Sequence, residues 1–350
     1  MADRRVDHLL IGGGIAAATC AQALRAEGAT GSILLVGREL DPPYHRPPIT
    51  KGYLGGAETR DEALIELPGD VEVLTRTSVM ALDPAAKIAT LSTKETVEYG
   101  TALLATGAMV RRLQIDGAQL EGVHYLRAPG NADALRRDVE DIEHVVCVGG
   151  SYIGCEVAAT LTTLGKRCTV VLLEEEPMER GFGLAAGAFV RAVLEAHGVE
   201  VIGGAEVERF EGEGEGADAR VARVVLAGGR TLEAEAVVAG VGANPDVMLA
   251  RKSGLEIGEL GGVRADAQLR AVGVDDLFVA GDMAEYDSPV HGRVMRIEHE
   301  EVAAAHGRTV ARNMLGAGAL HTEVPYFWTD LADWATLEYV GPAPAWDDEV

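Results

Sequence analysis

Read from its first residues, the chain turns from polar to continuously apolar. Val6-Asp7-His8-Leu9-Leu10-Ile11 reads as a strand buried on both faces at its end. Gly12-Gly13-Gly14 interrupts it, residues 16–27 carry the small and apolar positions of a helix, and Gly28 stops that helix. Residues 32–36 form the next apolar strand, completing a βαβ unit. Residues 41–50, Asp-Pro-Pro-Tyr-His-Arg-Pro-Pro-Ile-Thr, cannot be a helix interior and predict a shaped loop. Short β-like segments follow, and the strand at 101–104 runs into Ala105-Thr106-Gly107.

The pattern then restarts. A helix at 131–141 precedes a strand at 145–148, the turn Gly149-Gly150-Ser151, a helix at 153–164 closed by Gly165, and a strand at 169–173. The acidic run at 211–216 predicts a hairpin tip. The strand at 236–241 repeats the strand-to-glycine ending, and residues 277–282 return to the first unit. This repeat predicts an α/β protein of two Rossmann-like, three-layer nucleotide-binding domains, the second inserted in the first. The expected bounds are 1–110 with 243–322 for the first domain and 111–242 for the second. Residues 323–350 read as the incomplete start of a C-terminal α+β interface domain.

Each glycine turn lies between a strand and a helix, where a backbone can approach a diphosphate and seat it on a helix N-terminus. Candidate contacts in the first turn are Gly12, Gly14 and Ala17, the last standing where a third glycine would allow close helix packing. In the second turn they are Gly149, Gly150, Ser151, Tyr152, Ile153 and Gly154. The Ser151 side chain either adds a hydrogen bond or crowds the diphosphate. Each unit has acid beyond its second strand: Glu39 in the first, and Glu174 with Glu175 and Glu176 in the second. A carboxylate there accepts from a ribose diol and repels a 2′-phosphate, so NADH is expected over NADPH.

Composition narrows the partners. In 350 residues, 31 Lys and Arg stand against 55 Asp and Glu, a formal charge of −24 that opposes nucleic acid and anionic membranes. No apolar run is long enough to span a bilayer and no signal peptide is seen, so a cytoplasmic protein is expected. Cys20, Cys147, Cys155 and Cys168 form no CxxC or CxxxxC pair, so neither a local redox disulfide nor a zinc knuckle is expected, and no metal site.

Pro43-Tyr44-His45-Arg46-Pro47-Pro48-Ile49-Thr50-Lys51 resembles the PYxRPPLSK segment of FAD-dependent ferredoxin reductases. Ala105-Thr106-Gly107, Gly242-Ala243-Asn244-Pro245 and Ala280-Gly281-Asp282 are similar to other signatures of that superfamily. Arg296-Ile297-Glu298-His299 and Phe327-Trp328-Thr329-Asp330 resemble segments of apoptosis-inducing factor and its bacterial relatives. The resemblance implies FAD and NADH as cofactors. It implies that Gly12, Gly14 and Glu39 hold the adenosine half of FAD, that Val79 borders the adenine, and that Arg46 neutralises the diphosphate. By the same resemblance Asp282, beside Gly281, receives the ribitol, Arg127 reaches the flavin, and Trp328 flanks it. Ala105, Thr106 and Gly107 line the same site, and Gly242 serves NAD. Glu298 and His299 precede a helix whose N-terminus would favour negative charge on the pyrimidine end of the ring.

The resemblance also implies an ion pair between Lys51 and Glu156 beside flavin N5, making these two the candidate catalytic residues. It leaves three readings of the electron's destination. The first is a ferredoxin- or rubredoxin-type carrier, docking on a local basic patch that includes Arg308 and Arg312. The second is a quinone or oxygen, with no protein partner. The third is slow, redox-sensing turnover like that of apoptosis-inducing factor. An oligomer is compatible with each.

Overall fold

A computed structural model describes residues 2–343 apart from 215, 217 and 218. Its first sheet is built around Arg4–Ile11, which pairs in parallel with Ile33–Val36 on one side and Thr96–Leu104 on the other. Glu72–Leu74 extends the Ile33–Val36 side. The far edge of Thr96–Leu104 is shared. Its first residues pair antiparallel with Ile88–Leu91 and its last pair in parallel with Leu277–Val279, so the chain does return to this sheet. The two strands that pair with Arg4–Ile11 lie on its opposite sides, and this reversal of strand order opens a crevice at its C-terminal end.

The second sheet repeats the plan. His144–Val148 lies between Arg167–Val171 and Ala236–Ala239, with Glu200–Ile202 and Val123–His124 outside them, all parallel. The helices after the two glycine turns, Ile15–Ala26 and Tyr152–Thr163, begin within one residue of their predicted starts. The helix expected at 131–141 forms as Pro129–Glu140, with proline in its first turn where the missing N–H costs nothing. The two segments that join the units, Ala108–Val110 and Ala243–Pro245, pair antiparallel as a short ribbon. The acidic run at 211–216 joins the paired strands Val207–Glu213 and Arg220–Leu226, although 215 lies outside the described residues.

Packing knits distant segments together. The proline loop tightens into a 3-10 turn at Pro47–Thr50 and a helical turn at Gly52–Gly55. Its Tyr44, Ile49, Tyr53 and Leu54 are buried in the core of the second sheet, against residues such as Val157 and Leu161. The chain beyond 323 forms an antiparallel hairpin, Tyr326–Leu331 with Ala335–Val340, and its Leu331, Trp334 and Leu337 enter that same core. The acidic end at 346–350, which reads as interrupted in sequence, lies outside the described residues.

Candidate active site

A cavity of about 420 Å³ runs from the first glycine turn to the terminal hairpin. Gly12, Gly14, Glu39, Arg46, Val79, Ala105, Thr106, Gly107, Arg127, Gly281, Asp282, Glu298, His299 and Trp328 all line it, as the sequence reading requires. Ala17 does not; it is fully buried within its helix, behind the turn. Gly12 has φ +133°, and a Cβ there would stand 2.0 Å from the Ala105 carbonyl oxygen. Gly14 is different. A Cβ on it meets nothing within 4 Å, so the wall is bare where a helix N-terminus faces the cavity. That recess is the feature a bound diphosphate needs.

The charged walls of the cavity are tied to each other. Arg46 donates to Glu39 at 2.6 Å and to the Tyr44 hydroxyl at 2.7 Å, and the hydroxyl donates in turn to Glu39 at 2.5 Å. Arg46 also donates to the Arg127 carbonyl at 2.6 Å, while the Arg127 guanidinium meets Asp282 at 3.2 Å. Burial alone would raise the Glu39 carboxyl; Arg46, Tyr44 and Arg127 outweigh it and hold the group below the usual carboxylate range. Sequence reasoning gave Glu39 and Arg46 separate tasks and missed that they pair, with Tyr44 between them.

At the other end, Glu156, the fifth residue of its helix, is 6% exposed. Its Oε1 receives Lys51 Nζ at 3.2 Å and the Thr329 hydroxyl at 2.7 Å, and its Oε2 receives the Thr50 hydroxyl at 2.6 Å. The expected Lys51–Glu156 pair therefore forms. Burial pushes the Glu156 carboxyl up, with Lys51, Thr50 and Thr329 opposing. Lys51 has a second carboxylate, Asp330, also at 3.2 Å, and lies 5.6 Å from the Trp328 ring centre. Thr50, Thr329 and Asp330 carry no functional assignment in sequence. Their adjacency to Lys51 and Trp328 is the only local hint.

The second turn repeats the backbone contacts that open the first. The Gly12 amide donates to the Val36 carbonyl and the Gly149 amide to the Val171 carbonyl, both at strand ends. A Cβ on Gly149 would stand 2.4 Å from the Gly240 oxygen, and one on Gly154 2.0 Å from the Gly149 oxygen. Glu39 is three residues beyond Val36 and Glu174 three beyond Val171, so the repeat equates Glu174, not Glu175, with Glu39. Glu174 is paired with Arg180, Glu175 contributes its carbonyl to Arg191, and Glu176 is held by Arg191 at 2.7 Å. Ser151 Oγ donates to the Gly240 carbonyl at 2.8 Å, which settles its side chain against the sheet. Gly149, Gly150, Ser151, Gly154 and Gly242 lie outside this cavity, whereas Tyr152 and Ile153 line it.

Helix Glu300–Met314 presents its N-terminus to the cavity behind Glu298 and His299. The His299 ring stacks on Phe327 at 4.4 Å, and burial pushes its imidazole down to about 4. It is neutral at pH 7, which fits packing rather than proton transfer. His321, behind the same helix, is likewise pushed down to about 4 by burial. The unfolded chain protonates these rings near 6.5, so folded stability is present above that pH and is lost as pH falls toward 4. The loss reaches about 1.4 kcal/mol per pH unit for each histidine. Urea unfolding followed at several pH values should therefore show a drop in this window that His321→Gln makes shallower; an equal drop in that variant rejects the assignment.

Two expectations about charge change. Arg308 is paired with Glu323 and Arg312 with Glu27, both at 2.9 Å, so neither offers a free basic patch. The four cysteines are buried and unpaired, and burial pushes their thiols up. Among the described residues no helix is long and apolar enough to cross a membrane.

Glycine turns at two strand-order reversals, with a half-buried Lys51 paired to a buried Glu156 in the cavity beside the first turn, are the features of an oxidoreductase that works with dinucleotides. The chain belongs to the pyridine nucleotide-disulphide oxidoreductase family, whose sequence profile matches residues 6–307. It is 35% identical to the ferredoxin–NAD(+) reductase subunit of a benzene 1,2-dioxygenase system from Pseudomonas putida, over 92% of this chain and 78% of that one. It is 32% identical to a rubredoxin–NAD(+) reductase from the same organism, over 97% and 87% of the two chains. Its fold matches the reductase of a covalent putidaredoxin reductase–putidaredoxin complex with a TM-score of 0.90 and 28% identity, covering 99% of this chain and 84% of that one.

Proposed function

We propose that this protein is an NADH-dependent flavoenzyme that passes electrons to a small iron–sulfur carrier of the ferredoxin or rubredoxin type. The observation that carries this reading is the Lys51–Glu156 pair, which ties the proline loop to the helix after the second glycine turn and lines the same cavity as the first turn. Bound in the cavity, FAD would supply a two-electron acceptor for the hydride of NADH and a one-electron donor to the carrier.

The chain's own residues do the rest. Gly12 and Gly14 would hold the diphosphate on the N-terminus of helix Ile15–Ala26, with Arg46 countering its charge. Glu39 would accept from the adenosine ribose, with Val79 beside the adenine, and Asp282 would accept from the ribitol. Lys51, fixed between Glu156 and Asp330, would steady negative charge that builds on the ring. Trp328 and the stacked His299–Phe327 pair would keep water from that end. We assign residues 1–110 and 243–322 to the flavin unit and 111–242 to the nicotinamide unit. The hairpin after 323 belongs to the site through Thr329 and Asp330. Four buried, unpaired thiols support a reducing, cytoplasmic setting.

The carrier is tested by stopped flow. Protein reduced anaerobically by NADH is mixed with a ferredoxin, a rubredoxin, a quinone or oxygen. Rapid, saturable oxidation by one of the two carriers supports the proposal; oxidation only by quinone or oxygen overturns it. The reductant is tested separately. Glu174 predicts that kcat/KM for NADH exceeds that for NADPH by at least about tenfold, or roughly 1.4 kcal/mol, and that Glu174→Gln narrows the gap. Equal values for the two reductants in the parent protein would rule out this role.

A further inference from the structure

His306 is fully buried in helix Glu300–Met314 and does not line the cavity. Its Nδ1 accepts a hydrogen bond from the Gly281 amide at 3.2 Å. Burial, with His321 alongside, holds the imidazole well below its ordinary pKa, so the ring is neutral and its single proton sits on Nε2. That Nε2 is buried and has no hydrogen-bond partner among the described residues. Around it stand the rings of Tyr286 at 4.7 Å and His321 at 4.6 Å, both edge-on. A leucine would fill this apolar space without stranding a donor, so packing alone is a poor account of a histidine here.

The bond it makes is well situated. Gly281 has φ +72°, and a Cβ there would touch Ala16 and Ala303 at 3.6 Å each, so the turn is pinched between the first turns of two helices. The next residue, Asp282, is held at its carbonyl by Arg296 at 3.1 Å and at its carboxylate by Arg127 at 3.2 Å. Backbone bonds also hold this turn, from the Ala280 amide to the Leu104 carbonyl and from the Ala284 amide to the Gly281 carbonyl, and the Gly281 amide is where helix Glu300–Met314 takes hold of it through His306. We propose that His306 is a positioning residue whose Nδ1 fixes the Gly281–Asp282 turn in the geometry that receives the flavin's ribitol chain. This inference rests on the flavin reading of the cavity given above.

Two substitutions separate positioning from packing. His306→Leu keeps the bulk and removes both the acceptor and the stranded N–H. His306→Asn sets an amide oxygen near the place of Nδ1. The measurements are the rate of FAD release from purified holoenzyme on dilution, followed by flavin fluorescence, and the visible circular dichroism of the bound flavin. Far-UV circular dichroism reports that each variant is folded. The expected result is folded His306→Leu protein that releases FAD at least about tenfold faster with an altered visible spectrum, and His306→Asn protein that recovers most of both. Leucine protein that releases FAD within about twofold of the parent and keeps its spectrum overturns the proposal, as does asparagine protein no better than leucine. A parent protein that binds no FAD overturns the reading of the cavity and this inference with it.

Discussion

Lys51→Ala protein retains its flavin and is reduced by NADH at least about tenfold more slowly than the parent, a loss of roughly 1.4 kcal/mol or more. The reason is electrostatic. The Lys51 ammonium sits 3.2 Å from both Glu156 and Asp330, and among the described residues it is the one cation paired with Glu156. Without it, two carboxylates remain beside the place where negative charge must build, in a niche with little water to screen them. A buried carboxylate left unpaired costs about 3–5 kcal/mol of stability if it stays ionised. Glu156 has an escape, because burial already pushes its carboxyl up, and removing Lys51 pushes it further. A group whose folded pKa lies above its unfolded value adds stability at low pH and loses it as pH rises. The variant should therefore lose stability relative to the parent as pH rises above the ordinary carboxylate value of 4.5. Rapid-reaction reduction by NADH measures the first effect, and an unchanged rate removes Lys51 from the chemistry. Thermal unfolding of parent and variant across pH measures the second.

Gly12→Ala and Gly14→Ala should fail in different ways. At Gly12 the new Cβ would stand 2.0 Å from the Ala105 oxygen and 2.6 Å from its carbon, with φ at +133°. Both atoms belong to the backbone beyond the neighbouring strand, so nothing can rotate away and the turn must deform. Strain and overpacking together cost about 2–5 kcal/mol, and the protein should be unstable and colourless. At Gly14 the backbone is extended (φ −100°, ψ −177°) and the Cβ meets no protein atom within 4 Å. Stability should change by less than about 0.5 kcal/mol. The methyl group instead occupies the recess intended for the diphosphate, so FAD should be released at least about tenfold faster from a normally folded protein. Urea unfolding and flavin content, measured on both variants, distinguish the two. Gly14→Ala protein that holds flavin like the parent would show that the diphosphate lies elsewhere.

How far the sequence carried is uneven, for physical reasons. The two βαβ units were legible because a buried parallel strand, a glycine turn and a small-residue helix are local patterns, and each helix began within a residue of its expected place. The Lys51–Glu156 pair came from resemblance, and the geometry bears it out. The ties between Arg46 and Glu39, and between Glu156 and Thr329, were not legible, because nothing in a linear pattern sets the direction of a long side chain. The loop at 41–50 read as a shaped loop but its burial was not legible, because that depends on a core assembled more than a hundred residues later. The burial of the hairpin at 326–340 was not legible for the same reason: its buried face needs partners that come from the second sheet. Arg308 and Arg312 looked available until surface glutamates took both.

The ribbon of Ala108–Val110 with Ala243–Pro245 suggests a pivot between two independent modules. Two further attachments argue against free rotation about it. The proline loop anchors one unit in the core of the other, and the terminal hairpin fastens that core to Lys51 through Asp330 and to Glu156 through Thr329. Mechanically the molecule is riveted at three points rather than hinged at one. A spent nicotinamide would then leave by small movements of side chains at the mouth, and turnover would be insensitive to viscogens that slow large domain motions.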